Sequence, residues 1–207
     1  MTDLKWLNWA QRIQALAQSG LAYTHNPYDV ERYRALQAIA AEIIAAHSDV
    51  EPKAVAKVLM REAGYATPKV DIRGVVFDDQ GRLLLVKERV DGGWTLPGGW
   101  VDVGEPPSHA VEREVWEESG YRVRAVKLLA LYDHKRHGHT PYIFHLYKIF
   151  IRCEILSGEP QSSLETDGVG FFAEDAIPAL SLGRTTPDEI ARMFAHYRHP
   201  EWPADFD

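Results

Sequence analysis

Leu96-Pro97-Gly98-Gly99, then Glu105-Pro106-Pro107, then Arg113-Glu114-Val115-Trp116-Glu117-Glu118-Ser119-Gly120-Tyr121 reads as a glycine-bearing loop followed by a short acidic helix. Prolines suit the first helical position, where a missing N–H costs nothing, and Gly120 suits the exit. Between them Ala110, Val111 and Val115 form an apolar stripe that can face a core. Glu114 and Glu118, four apart, share one face, and Glu117 adjoins it. Glu105 stands at the entrance and Glu112 nearby. Like charges at this spacing cost an isolated helix a few tenths of a kcal/mol per pair. Arg113, four before Glu117, relieves only part of that.

A divalent cation would relieve the rest. Magnesium and manganese prefer oxygen ligands, and magnesium commonly uses a few carboxylates plus water and substrate phosphate. Such an ion would bind a diphosphate opposite the glutamates, and Gly98-Gly99 would let backbone approach without an intervening side chain. A solvated acidic face is the ordinary alternative for a cluster of this kind.

Upstream, the first ~65 residues carry helical spacing. Trp6, Trp9, Ile13 and Leu16 recur on one face, with Gly20 as a stop. A second pattern follows Asn26-Pro27-Tyr28-Asp29, with Asp29 as a cap and Tyr33, Leu36, Ile39, Ile43 and Ile44 inward. A third helix begins near Pro52 and ends by Gly64. The period then changes. Val70, Ile72 and Val75-Val76-Phe77, the turn Asp78-Asp79-Gln80-Gly81, and Leu83 to Val86 predict a hairpin. Val123 to Tyr132 and Tyr142 to Cys153 are strand-like, as is Val169 to Phe172. Thr186-Pro187-Asp188-Glu189 predicts a capping box, with Ile190, Met193, Phe194 and Tyr197 packed inward. The junction falls near Thr67-Pro68, which divides the chain into a helical unit, 1–66, and an α/β domain, 67–207.

The net charge of −7 argues against long nucleic acid as a partner, which would want a basic field. No apolar run is long enough to span a bilayer, and Met1 to Trp9 lacks a signal-peptide core, so the expectation is a cytoplasmic protein without a membrane partner. The single cysteine, Cys153, reads as a buried thiol.

The spacing Gly99, Glu105, Arg113-Glu114-Val115, Glu117-Glu118, Gly120 resembles the Nudix box at every position but one, Tyr121, where an aliphatic residue is usual. The segments around Ser19-Gly20-Leu21-Ala22-Tyr23 and Asn26-Pro27-Tyr28-Asp29 are similar to the N-terminal extension of one Nudix subgroup, which acts on ADP-ribose and on CDP-alcohols such as CDP-choline. The resemblance implies an α/β (α+β) fold, a mixed sheet between helices preceded by the helical unit. It implies Mg2+ or Mn2+ held by Glu114, Glu117 and Glu118, Arg113 orienting these glutamates, and Glu105 assisting. The general base is Glu118 or, second, Glu165 in the loop before Val169. Gly98 and Gly99 would approach the substrate.

His137, in the basic loop Asp133 to His139, would meet substrate phosphate or base, with a histidine metal site the lesser reading for the loop. Trp94, Tyr132 and Tyr142 can stack on a base or pack in the core. The implied reaction is hydrolysis of a nucleoside diphosphate linked to X, giving a nucleoside monophosphate and phospho-X. The alternatives are a nucleotide-sensing module of the same fold and a nucleoside triphosphate pyrophosphohydrolase. The Trp6 and Trp9 face suggests a homodimer.

Overall fold

The computed structural model describes residues 4–207. They divide into two compact units: residues up to Pro68 together with Tyr142–His145, and Lys69–Pro141 together with Leu146–Asp207.

The first unit consists of α1 (Lys5–Tyr23), α2 (Pro27–Ala45) and α3 (Pro52–Leu59), packed around Leu7, Ala10, Ala40, Ala41, Ile44, Val55 and Leu59. Two expected boundaries move. Gly20 lies inside α1, because its missing side chain makes room for a ring: a Cβ there would sit 2.3 Å from Tyr33 Cζ on α2. Asn26, not Asp29, caps α2, its side chain accepting the Tyr28 N–H at 2.9 Å, while Asp29 in the first turn pairs with Arg32. Trp6 stacks on His47, whereas Trp9 is 57% exposed. Trp9 shares its outward stripe with the exposed Leu16 and Tyr23, seven residues apart along α1.

In the second unit, among the described residues, β1 (Lys69–Val76), β5 (Leu146–Gly158), β4 (Tyr121–Asp133) and β7 (Asp205–Phe206) form one mixed sheet in the order β1-β5-β4-β7. β3 (Trp94–Thr95), β2 (Leu83–Glu88) and β6 (Thr166–Phe172) form a second, antiparallel one. The hairpin expected of β1 and β2 is therefore replaced by a crossing between sheets. A single bridge, Phe77 to Leu83, remains of it, and β1 runs parallel to β5 instead. Both strands are buried on both faces, so each can serve two cores, which a half-exposed hairpin could not.

The alternation of side chains makes those two cores. Ile72, Val76 and Leu84 pack with Ala110, Val111 and Val115 of α4 (Pro107–Ser119). Val75, Phe77, Leu83 and Leu85 pack with Ile190, Met193 and Phe194 of α5 (Pro187–Arg198). The capping box of α5 forms as expected, Thr186 Oγ1 accepting the Glu189 N–H and Glu189 Oε2 accepting the Thr186 N–H. Cys153 is buried, which pushes its thiol up to about 12. Tyr142–His145 do not extend β5. The Tyr142 and Ile143 carbonyls accept the Gln11 side-chain amide, and Ile143 and Phe144 join the helical core. No helix among the described residues is long and apolar enough to cross a membrane.

Candidate active site

The loop after β3 behaves as an extra strand beside β1. Ile72 N–H donates to Gly99 O at 2.9 Å, Gly74 N–H to Pro97 O at 2.8 Å, and Val101 N–H to Val70 O at 3.2 Å. Only glycine fits at 98: its φ is +144°, and a Cβ would lie 2.0 Å from Ile72 O. Its N–H is thereby aimed at α4 and donates to Glu118 Oε2 at 2.9 Å. Gly99 passes over Glu114, so close that a Cβ would lie 3.1 Å from Glu114 Oε2 and fill the space above that carboxylate. On the underside α4 rests directly on β1, where a Cβ at Gly74 would meet Val115 Cγ2 at 2.3 Å.

Gly120, at φ +80°, closes α4 in the left-handed conformation. The last turn is fastened by Gln161 N–H on Ser119 O at 3.0 Å and by Thr166 Oγ1 on Glu118 O at 2.8 Å.

Arg113 is the hub of the acidic face. It grips Glu105 with Nε and Nη2, at 3.0 and 2.9 Å, and Nη1 reaches Glu114 at 2.9 Å and Glu117 at 3.0 Å. Hydrogen bonding to Arg113 holds the Glu105 carboxyl below its usual range, and the same contacts raise Arg113. Glu118 is only 5% exposed. Burial pushes its carboxyl up to about 8, against the pull of Arg73 and the Gly98 N–H, with Glu114 and Glu88 adding to the push. Burial also raises Glu114, against the pull of Arg113. Glu117 is the outer member, half exposed. Glu112 leaves the group: its carboxylate accepts the Ala125 N–H at 2.8 Å, beside an irregularity in β4.

Beneath the loop lies a buried ionic triad that sequence reading missed. Arg73 Nε and Nη2 hold both oxygens of Asp71, at 3.1 and 2.8 Å, and Nη1 donates to Leu96 O at 3.1 Å. Lys148, the register partner of Asp71 on β5, donates to Asp71 Oδ2 at 2.7 Å. Burial works to raise Asp71, but Arg73 and Lys148 together pull it down to about 2. Asp71 and Arg73 are two apart on a strand, so they share a face; that spacing was the available signal.

Glu88 was missed too. It ends β2 on the same face as Leu84, which packs against α4, and its register partner is Thr166, the residue bonded to Glu118 O. It is buried and ion-paired with Arg184, Nε to Oε1 2.9 Å.

The structure brings Glu105, Arg113, Glu114, Glu117, Glu118, Gly98 and Gly99 together. The other three expected residues have contacts of their own. Glu165 is exposed in the loop before β6, its N–H on Ser163 Oγ and its carbonyl accepting the Arg89 N–H. His137 stacks on Tyr132 at 3.8 Å and pairs with Asp207, just past β7, at 2.8 Å. Tyr142 belongs to the helical unit. The loop around His137 is not simply solvated. His134 and His139 are buried and stacked at 4.2 Å, and His139 Nε2 meets Glu189 at 2.7 Å. Tyr132 is buried with its hydroxyl on Asp205, and Trp94 packs edge-on to Phe172, so both serve the core.

The donor set is all oxygen, it holds more desolvated carboxylate than Arg113 can neutralise, and the space above Glu114 is kept clear by Gly99. These features fit a hard divalent cation. As the side chains stand, no three His, Cys, Asp or Glu among the described residues are gathered closely enough to hold one. Glu114 and Glu117 are turned toward Arg113.

The family models agree with this geometry. Residues 67–194 match the NUDIX domain, and residues 4–59 match the UDP-X-like, N-terminal oligomerisation domain. The chain belongs to the Nudix hydrolase family, and it is an enzyme of the class that hydrolyses phosphorus-containing anhydrides. Along nearly its whole length it is 42% identical to YjhB of Bacillus subtilis (strain 168), provisionally named an ADP-ribose pyrophosphatase, covering 98% of this chain and 97% of that protein.

Two solved structures are similar as well. A UDP-X diphosphatase is 30% identical with a TM-score of 0.63, covering 98% of each chain. An ADP-ribose pyrophosphatase from Streptococcus suis is 38% identical with a TM-score of 0.62, covering 68% of this chain and 100% of that one.

Proposed function

We propose that this chain is a divalent-metal-dependent pyrophosphatase that cleaves a nucleoside diphosphate linked to X into a nucleoside monophosphate and phospho-X. ADP-ribose, UDP-linked sugars and CDP-choline are the substrates to try first. The names of the relatives support the first two. The observation that carries the reading is the pair of desolvated carboxylates, Glu118 and Glu114, lying beneath the Gly98-Gly99 backbone.

Glu114, Glu117 and Glu118 would hold Mg2+ or Mn2+. Once bound, the ion would screen the diphosphate charge and polarise its phosphoryl oxygens. Arg113 sets the orientation of Glu114 and Glu117 and is itself aimed by Glu105. The Gly98 N–H fixes Glu118. In hydrolysis the oxygen of water forms a bond to one phosphorus and the bridging P–O bond breaks. The leaving phosphate keeps the bonding pair, and the water proton passes to a carboxylate. We take Glu118 as the base, buried under the Gly98 N–H, with the exposed Glu165 as the second choice.

The helical unit would pair two copies, burying the stripe of Trp9, Leu16 and Tyr23. The substrate is a small nucleotide, and a cytoplasmic location suits the single buried thiol. Purified protein is assayed with ADP-ribose, UDP-glucose and CDP-choline in Mg2+ and in Mn2+, with products resolved by chromatography. The expected products are the nucleoside monophosphate and phospho-X. No turnover of any of the three, in either metal, refutes the proposal.

A further inference from the structure

The cations around the site differ in how much of their hydrogen-bonding capacity is used. Arg73 and Lys148 are buried and committed, the first to Asp71 and Leu96 O, the second to Asp71 and Arg184 O. Arg113 is spent on three glutamates. Arg184, in the loop before α5, is different. Its side chain is 33% exposed, Nε is paired with Glu88 at 2.9 Å, and Nη1 donates to Ser181 Oγ at 3.2 Å with Asp91 at 3.7 Å. Nη2 donates no hydrogen bond among the described residues. A guanidinium carries five N–H donors in a planar fork, so this one keeps donors facing outward.

The loop that carries Arg184 is bound to the catalytic loop. Thr185 Oγ1 bonds Thr95 Oγ1 at 2.8 Å and accepts the Leu96 N–H at 3.3 Å, two residues before Gly98. The Arg184 carbonyl accepts Lys148 Nζ at 2.6 Å, and its N–H donates to Ser181 O at 2.8 Å. Its partner Glu88 sits across from α4 through Thr166, which bonds the Glu118 carbonyl. Arg184 is thus tied to the Leu96–Gly98 segment through Thr185 and to the end of α4 through Glu88 and Thr166, and its side chain stays one-third exposed.

We propose that Arg184 binds the diphosphate of the substrate through its outward N–H groups, and that Glu88 is the positioning residue that aims it. This rests on the pyrophosphatase reading above. A partly exposed cation tied to the glycine loop would attract the phosphate oxygens that the glutamates repel, and the Glu88 pair would spare the side chain the entropy of ordering on binding.

The test reads binding directly. Methylenediphosphonate, a diphosphate whose bridge cannot be hydrolysed, is titrated calorimetrically in Mg2+ into wild type, Arg184→Gln, Arg184→Lys and Glu88→Gln. Mn2+ affinity is measured by electron paramagnetic resonance and folding by thermal melting. Arg184→Gln should bind the diphosphonate roughly 10–100-fold more weakly, the loss expected of one or two charge-assisted hydrogen bonds. Arg184→Lys should recover part of it, and Glu88→Gln should weaken binding less than Arg184→Gln. Mn2+ affinity of all three should stay within twofold of wild type, and KM for the turned-over substrate should rise more than kcat falls.

Equal diphosphonate affinity in wild type and Arg184→Gln overturns the proposal while leaving the pyrophosphatase reading intact. A parallel loss of Mn2+ affinity also overturns it, since that would make Arg184 a support of the metal site. If wild type neither binds the diphosphonate nor turns over any nucleotide, the pyrophosphatase reading itself fails.

Discussion

Replacing Glu118 by Gln should stabilise the metal-free protein while removing its activity. Glu118 is buried, and burial moves its carboxyl from an ordinary 4.5 to about 8. The folded state therefore binds a proton that the unfolded chain has already lost. Stability is fully present below about pH 4.5 and falls as pH rises through about 8, where the folded carboxyl ionises. At ~1.36 kcal/mol per tenfold change in proton affinity, the penalty for the ionised form is at most roughly 5 kcal/mol. Gln has nearly the same shape, its carbonyl can still accept the Gly98 N–H, and it carries no charge. A chain of this size shifts its melting temperature by about 2–4 °C per kcal/mol, so the variant should melt on the order of 5–15 °C above wild type at pH 8.5 in chelator.

At pH 5 the two proteins should melt nearly together, because wild-type Glu118 is then protonated. Adding Mg2+ should raise the wild type and leave the variant almost unmoved. The assay is calorimetry between pH 5 and 9 with EDTA or with Mg2+, beside turnover of the preferred nucleotide, which should drop by orders of magnitude. A variant that melts below wild type at pH 8.5, or one with the same pH slope, would refute the reasoning. It would mean that the carboxylate is already compensated.

Four further outcomes are expected. Gly74→Ala puts a methyl 2.3 Å from Val115 Cγ2, so α4 must lift; overpacking of this kind costs about 1–3 kcal/mol, and both melting temperature and kcat should fall. Lys148→Met leaves Asp71 short of one of its two buried cations, and breaking such a pair costs about 3–5 kcal/mol, readable as a lower urea midpoint. Arg113→Lys loses the fork that spans Glu105, Glu114 and Glu117; kcat should fall roughly 100-fold, as expected for misplacement near 1 Å, with little change in melting. Leu16→Glu places a charge in the exposed α1 stripe; if the proposed pairing holds, light scattering should give a dimer for wild type and a monomer for the variant.

The acidic helix was legible because its chemistry is local. Spacing alone puts Glu114, Glu117 and Glu118 on adjoining faces and sets the helix between Pro107 and Gly120, where it forms. The α5 capping box is equally local and equally readable. What escaped notice depends on pairings distant in sequence. Asp71 meets Lys148 only because β1 lies parallel to β5, 77 residues on, and Glu88 meets the site only through the β2–β6 ladder. Glu112 shows the converse. It has the right composition and nearly the right position, yet a β4 N–H claims it. The β1–β2 hairpin failed because alternation was masked: strands buried on both faces show runs, which give no sign of which neighbour they pair with. Gly20 misled because a glycine that makes room for Tyr33 looks, in sequence, like one that ends a helix.

Residues 97–101 are tied to β1 at three points, so the segment above the glutamates inherits the stiffness of a sheet interior. Changes of specificity by laboratory evolution should then accumulate at the open tip of the turn after Glu88, around Val90 and Gly92, rather than in the segment around Arg184, which is itself bonded to Thr95 and Lys148. Variants selected for new leaving groups should keep β1 and Leu96 to Gly99 almost untouched, however far the rest of the rim diverges.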